Sequence, residues 1–191
     1  MGRKYGSLHI RAEGISENID TLVSSCINAM GAVFPTNVEQ VAALLGLNLS
    51  QQQIPLLNQL TRSGSYSHAK QTVVEHNGFV SIYDQRVTFE NIQTIAQRVN
   101  TLLNLPVFFA SVYDDDVFIF GLCENGKAVS THISGDCEAY ELTHENYNIE
   151  ELERYLSNGG NNMPELEKLS GADLESVLNN ILGFRLDSDD R

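Results

Sequence analysis

The sequence predicts an α+β fold in which a mostly antiparallel mixed sheet, a hairpin plus a three-strand meander, packs with several amphipathic helices. Three observations carry that expectation. Asn77-Gly78 lies between two short runs rich in β-branched and aromatic residues, the strongest short-range signal for a hairpin. The stretch "VFFASVYDDDVFIFGLCENGKAVSTHI" holds three apolar runs joined by the turn sequences "YDDD" and "ENGK". Elsewhere apolar residues recur at intervals of three and four, the spacing of one helical face.

In chain order, Ser7 to Ala12 alternates and reads as a short strand. Ser16 caps a helix bearing Ile19, Leu22, Val23, Cys26, Ile27 and Met30 on one face. Thr36 and Glu39 make a capping-box pattern for a second helix through Val41, Leu44 and Leu45, which Gly46 ends. Residues 50–62 suit a shorter third helix with Pro55 near its start, and residues 63–67, "SGSYS", read as a linker. Gln71 to Glu75 and Phe79 to Tyr83 form the hairpin. Thr88 opens a helix with Phe89, Ile92, Ile95, Ala96, Val99, Leu102 and Leu103 on one face, closed by Pro106. The meander follows as Val107 to Val112, Val117 to Leu122 and Ala128 to Ile133. Its first two strands are apolar at consecutive positions, which predicts that both faces of the sheet are covered. Asn148 caps a helix carrying Ile149, Leu152, Tyr155 and Leu156. Two more start at Pro164 and Ser170, the last with Leu174, Val177, Leu178, Ile181 and Leu182 as one stripe. The expected units are residues 1–66, residues 67–186, and a frayed tail from Asp187 to Arg191. A repeated strand-then-helix pattern, Gly6 to Ile10 before Asn18 to Leu22 and Gly78 to Ile82 before Asn91 to Ile95, is explained by shared grammar as well as by duplication.

A chain of 191 residues can bury a real core. No apolar stretch reaches the roughly 18 residues that cross a bilayer, and no apolar segment follows the basic start, so a cytoplasmic location is expected. Cys26, Cys123 and Cys137 are odd in number and irregularly spaced, fitting neither a disulfide framework nor a zinc pattern. Cys26 falls on an apolar helical face and is expected to be a buried, reduced thiol. The net charge of −13 is one-sided. Through Val112, seven Lys or Arg balance seven Asp or Glu; from Tyr113 onward five basic residues face eighteen acidic ones. Such a field repels nucleic acid and anionic lipid, so neither is expected as a partner, and it attracts basic protein surfaces or cations.

Candidate chemistry concentrates in two places. Asp114, Asp115 and Asp116 interrupt the apolar runs, with Asp114 and Asp115 expected as turn residues, because Asp bonds the turning backbone. The triplet lacks the alternating acids, glycine and distal Glu of a calcium loop. The segment "HISGDCEAYELTHE" then sets His132, Asp136, Cys137, Glu138 and His144 within thirteen residues. Its spacing matches no zinc or thiol-nucleophile motif, although Cys137 is the thiol to test for reactivity. If the segment folds back on the turn, Asp116, His132 and His144 become candidate metal ligands. His9, His68 and His76 stand apart from any motif. There is no phosphate-cradling loop, HExxH or GxSxG, so no catalytic residue and no cofactor is expected.

Residues 78–145, with "GFVSIYD", the helix after it and "LNLPVFFASVYDDDVFIFGLCENGKAVSTHISGD", resemble a group of uncharacterised bacterial proteins in which a helix precedes strand, acidic turn, strand and an "NGK"-type turn. The resemblance implies bacterial origin and this local fold, and carries over no functional residue. Charge and missing catalytic motifs together point to a non-enzymatic interaction domain. Its most specific form is an immunity-type or antitoxin-like inhibitor that meets a basic protein through Asp114, Asp115, Asp136, Glu138, Tyr140, Glu141 and Glu145. The alternatives are a metal-dependent hydrolase using the Asp114 to Asp116 turn with the His132 to His144 segment, and a structural subunit of a larger assembly.

Overall fold

Six segments rich in β-branched and aromatic residues pair into one sheet. They are β1 (Lys4–Arg11), β2 (Gln71–His76), β3 (Phe79–Asp84), β4 (Val107–Tyr113), β5 (Val117–Glu124) and β6 (Lys127–Gly135), in the order β2-β3-β1-β4-β5-β6. The computed structural model describes residues 4–12, 21, 22, 25, 26, 71–76, 78–145, 147, 148, 150, 151, 154, 155, 171–182, 185 and 186. Among the described residues two helices of defined bounds accompany the sheet, α1 (Ile92–Leu103) and α2 (Gly171–Leu182).

The turn chemistry of the sequence is realised in the backbone. Gly78, Asn125 and Gly126 all have positive φ, and both central residues of the β4–β5 turn, Asp114 and Asp115, do as well, at 54° and 62°. Paired positive φ values mark the type I′ geometry whose twist matches that of antiparallel strands.

The expected mixed sheet with several amphipathic helices is corrected on two counts. Every strand pairing among the described residues is antiparallel. Among the described residues the fold is mostly sheet, with two helices of 12 residues each. The helix expected from Thr88 starts only at Ile92. Asn91 explains the delay: its side chain accepts the Thr88 N–H at 2.9 Å and donates to the Arg86 carbonyl at 3.0 Å, which holds residues 88–91 in a turn. Likewise Glu150 and Glu151 are helical, but Arg154 and Tyr155 lie in a turn, so the helix expected through Leu156 does not run its length. Thr21, Leu22, Ser25 and Cys26 are helical as their spacing predicts. The expectations for residues 36–46, 50–62, 63–67, 157–170 and 187–191 lie outside the described residues.

β1 is threaded between the hairpin and the meander. Ser7 is opposite both Tyr83 and Ala110, and Leu8 is opposite both Ile82 and Phe109. Residues 4–11 therefore belong to the same sheet as the unit expected over 67–186. Apart from Ala12 and four helical residues, the rest of the expected 1–66 unit lies outside the described residues.

Both faces of the sheet are covered, as the consecutive apolar positions of β4 and β5 require. One face packs Leu8, Ile10, Ile82, Phe109 and Ile119 against Ile92, Ile95, Ala96 and Val99 of α1, with Leu22 and Cys26 in the same cluster. The opposite face packs Phe79, Phe108, Phe118, Phe120 and Leu122 with Tyr147, Leu178 and Leu186. Asn100, buried at the end of α1, donates to the Leu105 carbonyl and accepts the Gly126 N–H, each at 2.6 Å, and so ties the helix to the β5–β6 turn. No helix among the described residues is long and apolar enough to cross a membrane.

Gly121 lies opposite Phe109 across β4 and β5, where the phenyl ring takes the space of a side chain. A Cβ there would come within 2.3 Å of Phe109 Cζ and 2.7 Å of the Ser130 carbonyl oxygen. Gly121→Ala is therefore expected to cost about 1–3 kcal/mol through overpacking, read as a lower urea midpoint at unchanged slope.

Candidate functional site

The acidic turn and the segment after β6 meet at one end of the sheet. Gly135 makes this possible, at φ 106°, a backbone state open to glycine and hostile to other residues. It sits against the Asp116 carbonyl so closely that the next residue, Asp136, donates its N–H to that oxygen at 2.9 Å. Residues 136–141 then form successive turns: Cys137 N–H bonds the Gly135 carbonyl, and the Cys137 carbonyl accepts from Leu142 N–H, each at 2.9 Å. Asp136 Oδ1 caps the turn by accepting from Ala139 N–H at 3.3 Å. Tyr140 comes back over the acidic hairpin and donates its hydroxyl to Asp116 Oδ2 at 3.1 Å.

An aromatic cluster underlies these contacts. Phe89 packs on Tyr113 with ring centres 4.8 Å apart, and Tyr140 meets Tyr113 at 5.4 Å and Phe89 at 5.8 Å, both nearly edge to face. Lys4 sits 4.0 Å from the Tyr113 ring centre and 2.9 Å from Asp114 Oδ2. The hydrogen bond to Asp114, then that to Tyr113, holds the Lys4 ammonium above its ordinary pKa. Tyr140 is also held above its ordinary value, by desolvation first and then by the Asp116 hydrogen bond and the charges of Asp116 and Asp114.

Beside this cluster lies a half-open cleft of about 500 Å³ between α1, the edge of β5–β6 and residues 140–142. Ile92, Ile119, Ile133 and Leu142 supply apolar lining, Phe89 and Tyr140 aromatic walls, Gln93, Thr94 and Gln97 polar groups, and Glu90 and Glu141 carboxylates. Glu141 holds positive φ, 55°, and is exposed.

The residues expected from sequence are thus distributed unevenly. Asp114, Asp115, Asp116, Asp136, Glu138, Tyr140 and Glu141 gather at this end, with Asp115, Asp116, Asp136, Glu138 and Glu141 exposed. Glu145 lies apart, paired with Ile133 by an isolated antiparallel bridge at the edge of β6. Of the metal candidates, Asp116 is engaged by Tyr140, whereas His132 and His144 approach each other with ring centres 6.3 Å apart. Among the described residues no three His, Cys, Asp or Glu side chains converge as metal donors. Cys137 is half-buried within the turn, and Cys26 and Cys123 are buried with their thiols pushed up to about 12 by desolvation.

The Asp114–Asp115 turn allows a test that separates its structural cost from its contact role. Two consecutive L-residues at positive φ are strained, and glycine removes that strain at one of them. Asp115→Gly is expected to raise stability by about 0.5–1 kcal/mol while weakening any binding that uses the Asp115 carboxylate. Equilibrium unfolding and a binding titration on the same variant read the two effects separately.

Sequence reasoning missed Lys4, Phe89, Glu90, Gln93 and Tyr113 at this site. It also set aside His9, which the fold places at the centre of a buried relay. His9 Nδ1 is 2.8 Å from Ser81 Oγ, and Nε2 is 2.9 Å from Ser7 Oγ. Ser7 in turn donates to the Leu186 carbonyl at 2.6 Å. That last donation leaves Ser7 Oγ to accept, so His9 carries its proton on Nε2 and Nδ1 accepts from Ser81. A hydroxyl beside an imidazole is the pairing of nucleophilic catalysis. Here Ser7, His9 and Ser81 are all buried in the covered sheet, which makes the relay a structural network.

The chain matches no protein-family model, no curated protein and no solved structure.

Proposed function

We propose that the protein is a non-enzymatic interaction domain that captures a basic protein, seating a cationic side chain in the acidic-rimmed cleft. The observation that carries this reading is the combination of an apolar and aromatic floor with Glu90 and Glu141 on the lining. A lysine or arginine side chain has the same division, an apolar stem and a charged head. The adjoining acids at 114–116 and 136–138 extend the negative field beyond the cleft, and the excess of negative charge in the chain falls entirely after Val112. Such a field accelerates encounter with a basic partner and rejects nucleic acid. An inhibitor of a cationic toxin is the most specific form of this reading.

The test uses a fluorescent arginine-rich peptide as probe. Raising salt from about 50 to 300 mM is expected to weaken binding by about tenfold or more, as screening acts on exposed charge. Glu90→Gln with Glu141→Gln is expected to weaken it by about tenfold at low salt, whereas a charge-matched control, Glu150→Gln with Asp173→Asn, leaves it within about twofold. Salt-insensitive binding overturns the electrostatic reading. Equal losses in the two double variants overturn the cleft as the seat of recognition.

A further inference from the structure

On the other face of β6 from the cleft, three buried polar atoms have no hydrogen-bond partner among the described residues: His132 Nδ1, His132 Nε2 and Ser134 Oγ. His132 is 1% exposed and Ser134 2%, and both project from the same side of the strand, two residues apart. Buried polar groups of this kind are nearly always satisfied, so an orphaned imidazole with an equally orphaned hydroxyl beside it on the strand points to something that fills the site. His144 supplies the second half. It is exposed, its ring centre is 6.3 Å from that of His132, and its Nδ1 donates to the Ile133 carbonyl. A histidine whose one ring N–H is fixed on a main-chain carbonyl presents the lone pair of its other nitrogen, the arrangement that orients metal-ligating histidines. The Ile133–Glu145 bridge holds the segment bearing His144 against the strand bearing His132.

We propose that His132 and His144 form a two-imidazole site for a borderline transition-metal ion of the Zn²⁺ or Ni²⁺ class. Ligand chemistry selects the ion: imidazole suits these metals, whereas Mg²⁺ and Ca²⁺ require oxygen donors. With Zn–N of about 2.0–2.1 Å and about 1.1 Å from nitrogen to ring centre, tetrahedral ligation sets two ring centres about 5 Å apart. The observed 6.3 Å is wider by about 1 Å, so ion binding requires the exposed His144 ring to pivot about its hydrogen bond toward His132. Because no third His, Cys, Asp or Glu joins among the described residues, the other positions go to water or an incoming ligand, with Ser134 Oγ placed along the strand to bond such a water. The site is open and labile, unlike the closed four-ligand sites that hold a fold together.

Calorimetric titration of the untagged full chain with ZnCl₂ or NiCl₂ is expected to show one ion per chain with a Kd in roughly the micromolar range, and no heat from Mg²⁺ or Ca²⁺. Long-range ¹H–¹⁵N spectra should shift the imidazole nitrogens of His132 and His144 on saturation and leave those of His9 in place. Since the exposed ring of His144 is removable without opening the core, His144→Ala and His144→Gln carry the test, each weakening binding by about tenfold or more while His76→Ala does not. Saturation that needs more than about 1 mM ion, or a Kd unchanged in both His144 variants, overturns the proposal and assigns the orphaned atoms to buried water.

Discussion

Gly135→Ala is expected to lower stability by about 3–5 kcal/mol, the sum of backbone strain and a clash that nothing flexible can absorb. At φ 106° an alanine is strained whatever its surroundings, and its Cβ would lie 1.8 Å from the Asp116 carbonyl oxygen. That oxygen belongs to the main chain of the β4–β5 turn, so relief requires the turn and the end of β6 to separate. Separation breaks the Asp136 N–H bond to Asp116 and withdraws Tyr140 from the Asp116 carboxylate, which removes one side of the cleft. The variant should therefore lose binding of the basic probe as well as stability. Urea unfolding monitored by circular dichroism measures the first, and a probe titration under conditions where the variant is fully folded measures the second. A Gly135→Ala protein within about 1 kcal/mol of the parent would show that the two segments do not make this close approach.

The second large effect is a loss of stability in acid through His9. Desolvation lowers its pKa from 6.5 to about 3, so the ring is neutral in the fold across the neutral and mildly acidic range. The unfolded chain takes up a proton near pH 6.5, while the folded chain does so only near pH 3. Between those values the unfolded state binds the additional proton, and stability falls as pH falls. The slope for one group is about 1.4 kcal/mol per pH unit, giving about 4–5 kcal/mol over the window. The relay adds a geometric reason: protonation would put a hydrogen on Nδ1, where Ser81 Oγ now donates, and that hydroxyl would have to turn. Unfolding free energies of the parent and His9→Gln, measured between about pH 6 and 4.5, should differ in slope by close to one proton. Parallel lines would mean that His9 titrates alike in both states, contrary to its enclosure.

Legibility from sequence followed the range of the interactions. The hairpins were visible because Asn-Gly and the aspartate pair act within four residues, and the backbone angles of Gly78, Asp114, Asp115 and Gly126 answer to those residues alone. The covering of both faces was visible in the consecutive apolar residues of β4 and β5. Helix starts were less visible. Thr88 has the right chemistry to begin a helix, but the Asn91 side chain bonds the backbone around it, and the helix waits for Ile92. His9, polar in the middle of a buried strand, stands apart from any motif in the sequence, because its partner Ser81 is 72 residues away and its other partner, Ser7, is anchored on Leu186, 179 residues from it.

By itself the sequence determined the local turns, the strands that flank them, the one-sided charge and the acids at the tip of the meander. Only the tertiary structure decided that β1 runs between β3 and β4, that Tyr140 closes on Asp116, and that His132 meets His144 while Asp116 does not join them. Turn preference and apolar alternation are properties of neighbouring residues and are written in their order. Which strand edges join, and which distant side chains then share a few ångströms, depends on the pairing of the whole sheet, where contacts compete across the full length of the chain.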